Sequence, residues 1–158
     1  MKKYIVLGVL LLLLAIFSNT SYEQQTLIPL LQTLLPTQPF IGFLSQFEIT
    51  YWNRLISVER SGYYHFLEFL IRKGTHFSFF GIIGVVIYYV LRKRPFAPLI
   101  AIAAVFILGS LDEFRQSFSP DRTGTIKDVY IDTTGAFFFV SIAWVIYKTN
   151  KLRKKKQP

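Results

Sequence analysis

Four long apolar runs, Tyr4 to Phe17, Gly74 to Leu91, Phe96 to Leu111 and Val129 to Tyr147, constrain this chain more than any other feature. A helix needs about 20 predominantly apolar residues to cross roughly 30 Å of hydrocarbon. The second and fourth runs approach that length unaided. The first reaches it by including Ser18 to Thr20, and the third by running on into Asp112 and Glu113. None carries the polar stripe that a surface helix of a soluble protein turns toward water. The expected fold class is therefore all-α: a membrane helical bundle of about four transmembrane helices, with short interfacial helices in the first outer loop. Residues 1–147 form the transmembrane domain and 148–158 a basic tail. Lys2 and Lys3 ahead of the first run also fit a secretory signal, but Ser18-Asn19-Thr20 is a poor cleavage site, and a retained helix is expected.

A net charge of +9 would point to nucleic acid in a soluble protein. Its distribution argues otherwise. If the four runs span, one side of the membrane receives Lys2, Lys3, Arg92, Lys93, Arg94, Lys148, Lys151, Arg153, Lys154, Lys155 and Lys156, eleven of the eighteen basic residues. The other side holds the remaining seven and all nine acidic residues. Basic residues in short segments beside helix ends mark the cytoplasmic side, so both termini are expected there, in a multi-pass protein of the cell membrane. Anionic lipid of the inner leaflet accounts for the tail, and no nucleic-acid partner is expected. The chain contains no cysteine, which excludes disulfides, thiolate nucleophiles and cysteine-ligated metals.

Ser18 to Lys73 reads as a long outer loop broken by Pro29, Pro36, Pro39 and Gly42. Its apolar stripes, Leu27 to Leu35 and Phe40 to Phe47, are too short to span and suit the interface or the flank of the bundle. Tyr51, Trp52, Tyr63 and Tyr64 suit headgroup depth. Ser61 is a candidate cap for a helix starting near Gly62, Pro95 suits the first turn of the third span, and Thr125 with Asp128 fits a capping box opening the fourth.

The ionisable residues near the outer ends of spans two, three and four demand a reason: Lys73 and His76, then Asp112, Glu113, Arg115 and Gln116, then Arg122, Asp128 and Asp132. Helical spacing puts Lys73 with His76, Asp112 with Gln116, and Asp128 with Asp132 on shared faces. Gly135 continues the Asp128 face and permits close helix approach. Lys73, Arg115 and Arg122 can serve as interfacial anchors, and Asp128 as a helix cap. His76 and Asp132 lie within their spans, where an unpaired ionisable group costs several kcal/mol. They form either a site or a structural contact in which Asp132 pairs with His76 or Lys73. No metal is expected: His65 and His76, the two imidazoles, are separated along a continuous helix by about 16 Å of rise, too far to share an ion. A magnesium ion held by carboxylates and a phosphate stays open.

Several stretches resemble the VanZ-like family of bacterial membrane proteins. They are Phe17-Ser18-Asn19, Arg72-Lys73-Gly74-Thr75-His76-Phe77, Asp112-Glu113-Phe114-Arg115-Gln116, and Asp121 to Val129 leading into Asp132-Thr133-Thr134-Gly135-Ala136. Their order and spacing fit the family's Lys-x-x-His, Asp-Glu-x-x-Gln, Arg-x-Gly and Asp-x-x-x-Asp elements across nearly the whole chain. Asn19 and Thr75 depart from the residues many members carry, and neither belongs to the charged set. The resemblance implies signature positions at Lys73, His76, Asp112, Glu113, Gln116, Arg122, Asp128 and Asp132. It also implies a cell-envelope role, since the family takes its name from a member linked to low-level resistance to the glycopeptide teicoplanin. It carries over no reaction.

Three functions fit these residues. The first is an outer-leaflet site that binds or modifies an anionic lipid or lipid-linked envelope precursor. There His76, Glu113 and Asp132 are the candidate catalytic groups, and Lys73, Asp112, Gln116, Arg122 and Asp128 bind substrate without a cofactor. The second is a non-catalytic envelope organiser that grips the same headgroup. A small transporter is third, disfavoured by polar residues at one membrane level and by the lack of an inverted repeat. Whether the chain is catalytic, and its oligomeric state, stay open at this point. Because cysteine is absent, orientation is directly testable. A Lys93→Cys protein is expected to react with an impermeant maleimide only in opened cells, and Ser119→Cys in intact ones; the reverse pattern overturns the assignment.

Overall fold

The computed structural model describes residues 1–21, 23–51, 53–118 and 124–156. In chain order it forms α1 (Lys2–Asn19), a 3-10 turn (Glu23–Gln25), α2 (Ile28–Leu34), α3 (Ile41–Leu44), β1 (Ile49–Tyr51) and β2 (Arg54–Ile56). These are followed by α4 (Val58–Ser61), α5 (Tyr63–Leu91), α6 (Ala97–Gln116) and α7 (Ile126–Lys156). Among the described residues, α1, α5, α6 and α7 are the helices long and apolar enough to cross a membrane. The third run does extend through Asp112 and Glu113, and the first reaches Asn19. The chain is a mostly helical protein with four candidate spans and short elements between the first two.

Two compact units divide it, one comprising Met1–Ser21 with Thr75–Pro158 and the other Tyr22–Gly74. The first has a core of Phe80, Ile83, Ile87 and Tyr88 from α5, Ala97, Ala101 and Val105 from α6, and Ala136, Val140 and Ala143 from α7. Leu7, Leu10 and Leu14 of α1 pack on it as a narrow stripe. These positions recur every three or four residues, so each helix offers one face to the others. The opposite faces are apolar as well: Leu99, Ile107, Leu111, Phe137, Phe138 and Ile142 are all exposed. Hydrophobic residues outside with small and polar ones inside is the arrangement that lipid favours, because lipid supplies no driving force to bury a leucine.

Small residues decide how closely the helices approach. A Cβ at Gly135 would collide with the backbone carbonyl of Phe77, so α5 and α7 meet nearly backbone to backbone there. A Cβ at Gly84 would stand 3.1 Å from the side chains of Ala136 and Val140 in the same seam. Between α5 and α6 the chain turns through Arg92 to Phe96; Phe96 takes a left-handed conformation (φ 56°) as the helix cap. The proline in the first turn of α6 is Pro98 rather than Pro95, since the cap falls at Phe96. Lys3 donates to the Val90 carbonyl (3.0 Å), and the Arg92 guanidinium stands 5.6 Å from the rings of both Tyr89 and Tyr147. One end of this unit therefore gathers basic residues from α1, the α5–α6 turn and α7, and there the turn and α7 line a cavity of about 600 Å³ with Arg94, Trp144 and Lys148 among its residues.

In the second unit, Val58, Tyr63 and Phe66 form a core with Leu44, Ile49, Ile56 and Leu70 packed against it. The hairpin pairs Ile49 with Ile56 and Tyr51 with Arg54 through Asn53 at positive φ (54°), where Asn is tolerated. The Tyr63 and Tyr64 hydroxyls donate to the Pro39 and Leu35 carbonyls and pin the segment after α2. Ser61 does not cap α5: it is the last residue of the short α4, which Ser57 caps by accepting from the Arg60 amide, and Gly62 (φ 82°) stands immediately before α5. Buried Glu68 accepts the Leu27 amide (2.7 Å), and Trp52 lies outside the described residues.

Gly135→Ala is expected to lower the stability of the detergent-purified protein by about 1–3 kcal/mol through overpacking. Gly8→Ala, with nothing within 4 Å of its Cβ, is expected to leave the Tm unchanged. Equal Tm values for the two variants would contradict the close crossing.

Candidate functional site

The faces that pack the first unit lead directly into its polar residues. On α6 the buried series Ala97, Ala101, Val105, Gly109 continues to Asp112 and Glu113. On α7 the buried residues Val129 and Asp132 precede Ala136 and Val140, and on α5 the His76 ring stacks on buried Phe80 (centroids 6.1 Å apart). The helical period that buries the core therefore also aims three ionisable side chains from three helices at one another.

His76 Nδ1 and Asp132 Oδ1 are 3.2 Å apart. With Asp132 ionised its carboxylate only accepts, and Nδ1 is then the donor of this bond. The Asp132 side chain is 1% exposed and that of His76 33%, so the pair has a sealed acid and an accessible base. Gly109 adjoins the acid: a Cβ there would stand 3.2 Å from Asp132 Oδ2. Glu113 completes the cluster, with donor atoms of all three residues within 4.8 Å of one another. Its Oε2 accepts the Thr125 amide at 2.6 Å. Thr125 caps α7 as expected, its hydroxyl accepting from the Lys127 amide (3.1 Å). In a capping box the cap's own amide goes to the carboxylate at N3, which is Asp128 here; in this chain that amide goes to Glu113, a carboxylate from the preceding helix. Glu113 Oε1 and Asp132 Oδ2 are buried and have no hydrogen-bond partner among the described residues.

The other expected site residues are placed as follows. Asp112 is buried, accepts from Gln116 Nε2 at 2.7 Å and has Arg115 at 3.9 Å, so the Asp112–Gln116 pairing predicted from i,i+4 spacing is present. Asp128 is buried at the start of α7. Lys73 belongs to the other unit, with its ammonium 4.6 Å from the Tyr51 ring. Arg122 lies outside the described residues. A contact the sequence does not announce is the hydrogen bond from Arg115 to the Asn19 side chain, which ties the end of α1 to the end of α6. Ninety-six positions separate the two residues, so no local spacing could pair them.

An apolar four-span bundle with a buried His–carboxylate cluster at one end defines a class, a multi-pass membrane protein with an embedded polar site. The chain belongs to the VanZ/LLP1 family, whose model matches residues 4–147. No curated protein and no solved structure matches the chain.

A double-mutant cycle of His76→Ala and Asp132→Ala is expected to return a coupling energy above about 1 kcal/mol, as for partners in a shared hydrogen bond. Additive losses would contradict the pairing. Glu113→Ala is expected to cost about 1–3 kcal/mol by stranding the Thr125 amide. Differential scanning of purified proteins reads both.

Proposed function

We propose that this protein binds an anionic lipid or lipid-linked envelope precursor at a site on the outer side of a bacterial cell membrane, with His76, Glu113 and Asp132 exchanging protons with the bound headgroup. Glu113 Oε1 and Asp132 Oδ2, buried and without a hydrogen-bond partner among the described residues, carry this reading. A fully paired structural cluster would spend every acceptor on the fold, whereas acceptors held desolvated are a cost that a bound ligand repays. The one-third exposure of His76 supports the same reading, since a group that passes a proton must be reachable. Arg122 is a cation assigned to a phosphate, Lys73 is a separate candidate anion contact, and Asp112, Gln116 and Asp128 are the groups assigned to the headgroup's polar atoms. The basic end, with Lys3, Arg92 and Lys148, is assigned in this reading to the anionic inner leaflet, and the positive-inside rule supports cytoplasmic termini. Altered teicoplanin susceptibility is the trait that such a change at the outer surface would produce.

A strain lacking the chain, complemented in turn with wild type, His76→Ala, Asp132→Asn, Lys73→Gln and Arg122→Gln, tests the proposal by mass spectrometry of lipids and cell-wall precursors. The wild type is expected to alter one headgroup-bearing species. His76→Ala and Asp132→Asn, inserted at normal levels, are expected to reduce that change at least a hundredfold, the range of lost acid–base catalysis. Retention by His76→Ala with loss in Lys73→Gln and Arg122→Gln would replace proton exchange by simple binding. No change in any species overturns the proposal.

A further inference from the structure

His76, Glu113 and Asp132 are also a set of metal donors. Each comes from a different helix, α5, α6 or α7, so the donors approach a common point from three sides. We propose that they bind one divalent ion of the zinc class, through a ring nitrogen of His76 and one carboxylate oxygen each from Glu113 and Asp132. The remaining coordination position is open to water or to an oxygen of an anionic ligand.

Four observations converge on this. First, Glu113 Oε1 and Asp132 Oδ2 are buried and have no hydrogen-bond partner among the described residues, on side chains that are respectively 5% and 0% exposed as residues. Unspent lone pairs in a desolvated cluster are what a cation completes. Second, two carboxylates and a dication sum to zero charge, the balance a low-dielectric interior tolerates best. Third, the 3.2 Å between His76 Nδ1 and Asp132 Oδ1 is about the edge of a tetrahedral sphere with bonds near 2.0 Å. An ion that takes Nδ1 therefore leaves that pair nearly where it stands, with the imidazole's one proton carried on Nε2. Fourth, the Thr125 amide on Glu113 Oε2 fixes that carboxylate as an outer-shell donor fixes a metal ligand.

The donor chemistry selects among ions. One imidazole with two carboxylates suits zinc, and three protein ligands with one open position is the pattern of reactive rather than structural zinc sites. Magnesium sheds its water reluctantly and seldom takes an imidazole, which fits a buried site poorly. The expectation of no metal rested on the separation of the two imidazoles, and this set needs only one of them. The inference shares its residues with the proposed headgroup site but does not depend on that reading, because ion binding can be measured with no lipid substrate present.

The test uses the full chain, purified with a tag free of histidine, stripped with chelator and titrated with Zn²⁺, Mn²⁺ and Mg²⁺ by calorimetry. Metal stoichiometry is read by mass spectrometry. One Zn²⁺ per chain is expected, bound at least tenfold more tightly than Mg²⁺. Affinity is expected to fall at least tenfold in His76→Ala, Glu113→Gln and Asp132→Asn, and to be unchanged in His65→Ala. Co²⁺ as a substitute is expected to give visible bands of low-coordinate intensity that the three site variants lose. Should any of those variants elute as aggregate, Glu113→Asp and His76→Gln stand in, with weakened binding as the expected result. Absence of stoichiometric Zn²⁺ in the folded wild type, or an equal loss in His65→Ala and His76→Ala, overturns the proposal and leaves the carboxylates neutralised by a proton or another cation. Zinc binding without any headgroup change in cells would instead sink the lipid reading alone.

Discussion

Burial of Asp132 against His76 is the constraint around which the rest of the first unit is arranged. A carboxylate with 1% of its side chain exposed, in a bundle whose outside is apolar, persists only if the fold brings it a partner. The partner comes from α5, fifty-six positions earlier in sequence, and the approach depends on glycines. Gly135 lets α7 lie against the Phe77 backbone, and Gly109 leaves room on α6 beside the acid. Glycine weakens an isolated helix, but here it permits the approach that joins the two halves of the polar pair.

The same logic explains why the site sits where it does. The buried faces of α6 and α7 are made of alanine, glycine and valine through the core and turn polar only near the ends where the chain passes from α6 to α7. Glu113 then holds the cap of the next helix through the Thr125 amide, so the helix end and the site share one bond. A group that serves a helix terminus and a reactive cluster together transmits changes in either to the other. The basic end of the unit has a different character, with cations stacked on tyrosine and tryptophan rings, as at Arg92 and Lys148.

Much of this was legible in the residues. Apolar run length located the four long helices and required α6 to include Asp112 and Glu113, because a shorter helix would not span. The i,i+4 rule paired Asp112 with Gln116, and Thr125 announced its cap. What stayed hidden was long-range. The Arg115–Asn19 bond, the Glu68–Leu27 bond and the tyrosine hydroxyls on Pro39 and Leu35 join residues at least 24 positions apart, and each depends on packing that no local pattern encodes. The Ile49–Ile56 hairpin was missed because three-residue strands offer too little alternation to separate from an interfacial loop. Ser61 does not cap α5 because it ends a single extra turn, α4, before Gly62. Lys73 shares a helix face with His76 by spacing, and its ammonium lies over Tyr51. The convergence was inferable as a shared level in the membrane and as a possible His76–Asp132 pairing, whereas the place of Glu113 in the cluster depends on long-range packing.

Solid-state NMR of the chain in bilayers measures the central pairing most directly. With imidazole ¹⁵N at the two histidines and ¹³C at the aspartate carboxyls, one imidazole resonance should dephase against an aspartate carboxyl at a separation under about 4 Å, as a shared hydrogen bond requires. That dephasing should vanish in Asp132→Ala. Its absence from the folded wild type, or its persistence in that variant, would contradict the account.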